Sequence, residues 1–133
     1  KTGYSDGGDN TRFYGTNSAI IDKSGANLKL KNISVKTNAA GANGVFSYGE
    51  SATTNNSSSD GTTITISDSS ITTLKDNSGG IMTTGGGNMN AYNLTINTSG
   101  TSSAAIRTDR GGGTVTVEGG THTTFLYITL YLS

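Results

Sequence analysis

The stretch Thr63-Ile-Thr-Ile-Ser-Asp-Ser-Ser-Ile-Thr-Thr73 decides the fold. Ile64 and Ile66 alternate with Thr and Ser, Asp68 interrupts, and Ile71 resumes the pattern. Alternation of apolar and polar residues marks a strand with one face buried. The same pattern returns without gaps at Asn27–Thr37, Asn88–Thr98 and Thr114–Thr124. One column then reads Leu28, Ile64, Met89, Val115, a second Leu30, Ile66, Ala91, Val117, and a third Val35, Ile71, Ile96, His122. Steps along the first column are 36, 25 and 26 residues.

A second apolar segment accompanies each of the first three repeats. Val45, Ile81 and Ile106 each lie 10 residues after the third column, and Ser18-Ala-Ile-Ile-Asp22 is the same segment from an earlier repeat. The long step is an ordinary repeat with about 11 extra residues, which fall in the polar stretch 51–61 and read as a loop. No two-residue hairpin joins neighbouring segments. Equivalent positions recurring every 25 or so residues stack when the chain winds as a coil. The expected fold is therefore all-β: one domain, 1–133, forming a parallel β-helix of about four to five coils of roughly 25 residues each. The absence of proline agrees, because proline removes a ladder donor. The column Asn32, Asp68, Asn93, Gly119 is expected at a corner, and Thr37, Thr73, Thr98, Thr124 as an internal threonine ladder.

Composition narrows the function classes. Gly, Ser, Thr and Asn make up 73 of 133 residues, a linker-like composition. Regular apolar spacing and only 14% charged residues argue against disorder. Nine basic and nine acidic residues cancel, so bulk charge recruits neither nucleic acid nor an anionic membrane. No apolar run approaches the roughly 18 residues of a membrane span. Without cysteine there is no disulfide framework and no thiolate metal site, which suits a bacterial extracellular protein. The chain opens on polar residues, as a mature protein or an excised domain would.

A short coil stack has two open ends that need caps or neighbours. Residues 1–15 are expected to fold over the first coil as a cap. At the other end Leu126, Ile128, Leu130 and Leu132 alternate with Phe125, Tyr127, Thr129 and Tyr131, so 125–133 is expected to be a terminal strand. Phe125, Leu126, Tyr127, Ile128, Leu130, Tyr131 and Leu132 are its candidate cap or assembly residues.

Phe13–Ile21, Ala42–Gly49, Asn77–Gly87, Ser102–Gly113 and Val115–Thr124 resemble segments of a family of bacterial right-handed parallel β-helix, adhesin-like surface proteins. The likeness covers roughly Asp9 to Thr124. It implies an exported solenoid more than any activity. Members often continue with further coils, whereas this chain departs into Phe125–Ser133.

Enzymatic β-helices that cleave polysaccharides need clustered carboxylates. The acids here scatter over different columns. Arg107, Asp109 and Arg110 form the densest polar group, read as a solvated turn with local ion pairs. Asp6-Gly-Gly-Asp9 lacks the repeated motif of calcium-binding solenoids. His122, the sole histidine, falls in an inward column with no second His or Cys to join it, and reads as structural. Lys29, Lys31 and Lys36 alternate outward and read as a soluble face; the mixed outward columns also argue against an ice-binding lattice. Tyr48 and Tyr92 are the candidates for stacking on sugar rings, against a reading as rim packing.

The expectation is a non-enzymatic, extracellular or cell-surface structural or adhesion module that stacks end to end, on itself or on further coils. The alternative is a surface-glycan-binding module, through Tyr48, Tyr92 or the 51–61 loop; a polysaccharide lyase or hydrolase comes third. No catalytic residue, metal or cofactor is assigned, and neither nucleic acid nor membrane insertion is expected.

Overall fold

A computed structural model of the chain describes residues 8–49 and 59–125. Among these residues the structure is all-β apart from one helical turn, α1 (Asp9–Arg12). Ten strands follow: β1 (Ile20–Lys23), β2 (Asn27–Lys31), β3 (Ser34–Thr37), β4 (Val45–Tyr48), β5 (Thr63–Thr73), β6 (Ile81–Thr84), β7 (Gly87–Thr98), β8 (Ile106–Asp109), β9 (Gly113–Glu118) and β10 (Thr121–Thr124).

They form two sheets, and every pairing is parallel. The four-stranded sheet runs β1-β4-β6-β8. The six-stranded sheet runs β10-β7-β5-β2, with β3 also on β5 and β9 also on β7. The register joins the residues that the repeat aligned. Leu28 pairs with Ile64, Ile64 with Met89, and Met89 with Val115. Ile20, Val45, Ile81 and Ile106 are likewise successive partners.

The six-stranded sheet bends where the aligned Asn32, Asp68, Asn93 and Gly119 sit. All four have left-handed backbones, with φ of 54°, 50°, 53° and 67°. Asn and Asp tolerate this conformation better than other side-chain-bearing residues, because short polar side chains bond locally. The Asn93 amide donates to Asp68 Oδ1 at 3.0 Å, which ties adjacent layers at the bend. At the next corner Thr37 and Thr73 donate Oγ1–H to the carbonyls of Ala42 (2.7 Å) and Ser78 (2.5 Å), and Thr98 does the same to Ser103. All three threonines are fully buried, so each ladder hydroxyl satisfies a corner carbonyl that water cannot reach.

The core lies between the two sheets. Ile64, Ile66, Ile71, Met89, Ala91, Leu94 and Ile96 meet Val45 and Ile81 in one cluster. Each fully buried aliphatic side chain contributes about 1.5–3 kcal/mol relative to exposure. Burial falls off along the stack: Leu28 and Leu30 in the first layer and Val115 and Val117 in the last are only partly buried. Close approach of layers also explains a glycine file. A Cβ on Gly80 would stand 2.5 Å from the Ala105 carbonyl oxygen and 2.4 Å from Ile96 Cγ2, and one on Gly44 would stand 2.5 Å from the Gly80 oxygen. The corresponding last-layer residue is Ala105, at the far end of the file.

Residues 8–17 lie elsewhere than the expected cap over the first layer. They run along the outer side of the four-stranded sheet: Asn43 Nδ2 donates to the Thr11 carbonyl at 3.2 Å, and Thr84 Oγ1 to the Phe13 carbonyl at 2.8 Å. The reason is apolar area. Phe46 and Met82 point outward from this sheet and are 0% and 1% exposed. Of the expected terminal strand, Phe125 follows β10 with its N–H on the Thr98 carbonyl at 2.7 Å and its side chain exposed. Leu126, Tyr127, Ile128, Leu130, Tyr131 and Leu132 lie outside the described residues, as do 1–7 of the expected cap and 51–58 of the expected loop.

Candidate functional site

Two strands and the N-terminal segment build a cleft on the four-stranded sheet. In β1, Ile20 faces the core while Ile21 and Lys23 are exposed on the outer side. Lys23 pairs in register with Tyr48 of β4, so these two side chains leave the sheet side by side. Gly15 carries the N-terminal segment across them. Its φ is +71°, and a Cβ there would stand 2.8 Å from Ile21 Cδ1 and 2.9 Å from Phe46 Cγ. Only a residue without a side chain lets the backbone lie this close. The crossing brings Tyr14 against Tyr48, with ring centroids 5.7 Å apart and planes tilted by 55°. Tyr14, Thr16, Ile21, Lys23 and Tyr48 together line a cleft of about 370 Å³.

The other end of the segment is anchored electrostatically. Arg110 Nη1 meets Asp9 Oδ2 at 2.9 Å, and its guanidinium lies 4.0 Å from the centre of the Phe13 ring. Arg107 lies 5.7 Å from the same ring and pairs with Asp109 at 2.5 Å. Burial alone would raise the Asp109 pKa, but the Arg110 N–H and the Arg107 guanidinium outweigh it and hold the carboxyl below its ordinary range. The dense polar group of the sequence is thus a set of local ion pairs that also grips Asp9 and Phe13.

The sequence candidates separate in space. Tyr48 is half-buried in the cleft. Tyr92 is exposed on the six-stranded sheet, beside Ser67 and Glu118 in register, and does not join it. His122 pairs with Ile96, and its Nε2 is buried without a hydrogen-bond partner. Lys29, Lys31 and Lys36 are exposed, with Lys31 4.0 Å from Asp68. Among the described residues no three of His, Cys, Asp and Glu come together as a metal-holding group. Tyr14, Thr16, Ile21 and Lys23 escaped the sequence reading. Alternation in 18–23 already turned Ile21 and Lys23 outward, but nothing local indicated that residues 14–16 would cross above them.

A second, more polar groove of about 470 Å³ follows the bend of the six-stranded sheet, lined by Asn32, Ser34, Asp68, Ser70, Asn93 and neighbours. Its side chains mostly bond each other, as Asn93 does Asp68 and Ser70 does Ser34 at 3.2 Å. The aromatic cleft instead is lined by two tyrosines, an aliphatic side chain and a cation that has no ion-pair partner among the described residues. That combination suits a ring-shaped, partly polar ligand. No family model, no curated protein and no solved structure matches this chain.

Proposed function

We propose that the chain winds as a parallel β-helix of four coils and serves as a non-enzymatic structural module of the adhesin-like, cell-surface kind. The strand order supports the winding: β1-β2-β3, β4-β5, β6-β7 and β8-β9-β10 each supply one layer, and each layer pairs in parallel with the next. The observation that carries the module reading is the burial gradient along the inward files. Ile64 and Met89 are fully buried, whereas Leu28 below and Val115 above are half-open. Among the described residues the first-layer and last-layer strands pair on one side only. Such ends accept further coils or a second copy. The resemblance noted above points to the same role.

The test is sedimentation and negative-stain microscopy of the purified chain over a wide concentration range. End-to-end oligomers or fibres, with a layer spacing near 4.8 Å by diffraction, are the expected outcome. Discrete particles at the highest concentration overturn the stacking role, and experimental coordinates with antiparallel pairing overturn the winding.

The aromatic cleft favours a second reading, saccharide binding. Tyr14 and Tyr48 offer ring faces to the apolar side of a pyranose, and Lys23 offers a donor beside them. A glycan array distinguishes the readings: binding that Tyr48→Ala abolishes and Tyr92→Ala spares supports it, and no hits against a positive control retires it.

A further inference from the structure

Neither reading uses the environment of Asp22. It lies on β1, two residues after the core residue Ile20, and is 6% exposed. Both carboxylate oxygens are buried with no hydrogen-bond partner, and no Lys or Arg pairs with it among the described residues. An unpaired buried carboxylate is among the costliest arrangements a fold can hold. Asp22 pairs in register with Ser47, and Ser47 with Thr83. Thr83 Oγ1 is also buried without a partner. Unsatisfied oxygens therefore flank Ser47 on both sides along one inward file, and such groups call for an occupant that coordinates oxygen.

The chain brings a second carboxylate to the same corner. The turn after β1 places Gly25 N–H on Thr62 Oγ1 at 2.8 Å, and a Cβ on Gly25 would stand 3.2 Å from the Asp60 carbonyl. Asp60 Oδ1 accepts from the Thr62 N–H at 2.9 Å, and although burial would raise the Asp60 pKa, hydrogen bonds from Thr62 and Gly25 outweigh it and hold the carboxyl below its ordinary range. The Ser47 hydroxyl donates only a long 3.5 Å bond to the Thr62 carbonyl, which already accepts from the backbone and side-chain nitrogens of Asn88. Burial raises the Asp22 pKa, and the nearby Asp60 charge adds to it.

We propose that Asp22, Ser47 and Asp60 form a binding site for a hard divalent cation of the calcium type. Two carboxylates and a hydroxyl supply the oxygen donors that calcium prefers, and water completes the six to eight positions, entering beside β1, an edge strand among the described residues. With so few charged ligands the affinity belongs near the weak, extracellular end of the range, with Kd about 10⁻⁴–10⁻³ M. Bound there, the ion ties the chain returning at Asp60–Thr62 to the first layer. The site depends on neither the coil winding nor the aromatic cleft.

Calorimetry of the full chain at pH 7, with chelator or with millimolar calcium chloride, tests it. Calcium is expected to raise the wild-type Tm by about 5 °C and to bind with a stoichiometry of one. Asp22→Asn is expected to abolish both effects while raising the Tm in chelator. Asp60→Asn should weaken binding at least tenfold, and Asp9→Asn, which touches the unrelated acidic stretch, should leave it unchanged. A wild-type chain indifferent to calcium overturns the proposal and makes Asp22 a buried acid only. A response that survives Asp22→Asn overturns it too, by placing the ion elsewhere.

Discussion

The outward residues of the two sheets follow the same alternation and meet opposite environments. On the six-stranded sheet the outward file Lys29, Thr65, Asn90, Thr116 is solvent-facing and polar, and Tyr92 stands exposed nearby. On the four-stranded sheet the outward file is Ile21, Phe46, Met82, Arg107, and its two middle members are buried. Residues 9–17 account for the difference. They lie where the outward file is apolar and are held by Arg110 where it turns cationic. One sheet thus has a single buried face, and the other is buried on both faces over its middle strands. The segment that covers it also makes the aromatic cleft.

Breaking the covered face gives the largest expected effect. Phe46→Ala should cost about 3–5 kcal/mol in urea denaturation, whereas Tyr92→Ala on the open face should stay within about 0.5 kcal/mol. Equal costs for the two would mean that residues 9–17 do not seal Phe46. Next is Gly15→Ala, expected to cost about 1–3 kcal/mol, since the new Cβ collides with Phe46 and Ile21 at a positive φ. The same variant should weaken any ligand of the Tyr14–Tyr48 cleft, and unchanged binding would separate the cleft from the crossing.

The interior side of β1 gives a pH-dependent test. Burial raises the Asp22 pKa above its ordinary 3.8, so folding favours the protonated acid. Stability from this group is complete below about pH 3.8 and is lost as pH rises through the higher folded value. In chelator, Asp22→Asn should therefore be more stable than wild type at pH 7, and the two should converge on acidification. A constant difference across that window would contradict the burial of the carboxyl. The smallest effect belongs to Arg110→Ala, an exposed partner of Asp9 and Phe13. Its destabilisation should shrink with added salt, as read from Tm at low and high ionic strength.

Much of the architecture was legible because a repeat places the same demand on each layer. Ile64, Ile66 and Ile71 announce a half-buried strand, and their counterparts at fixed spacing announce which strands pair. The corner residues were readable for the same reason: Asn32, Asp68 and Asn93 are side chains that tolerate a left-handed turn. Tyr48 was legible as a candidate, but its setting was not. Tyr14 reaches it through a crossing that depends on Gly15 and on apolar side chains from separate layers. The Asp22 corner was equally silent, because its neighbours Ser47 and Asp60 come from distant stretches that only register and the Gly25 turn bring together.

Sequence alone determined the strands, their register and the inward files, because period-two alternation and a repeat near 25 residues act locally and identically in every layer. Tertiary structure decided which outward face would be covered and where the buried Asp22 carboxylate would sit. Both follow from non-repeating residues meeting across layers, and no periodicity records such encounters.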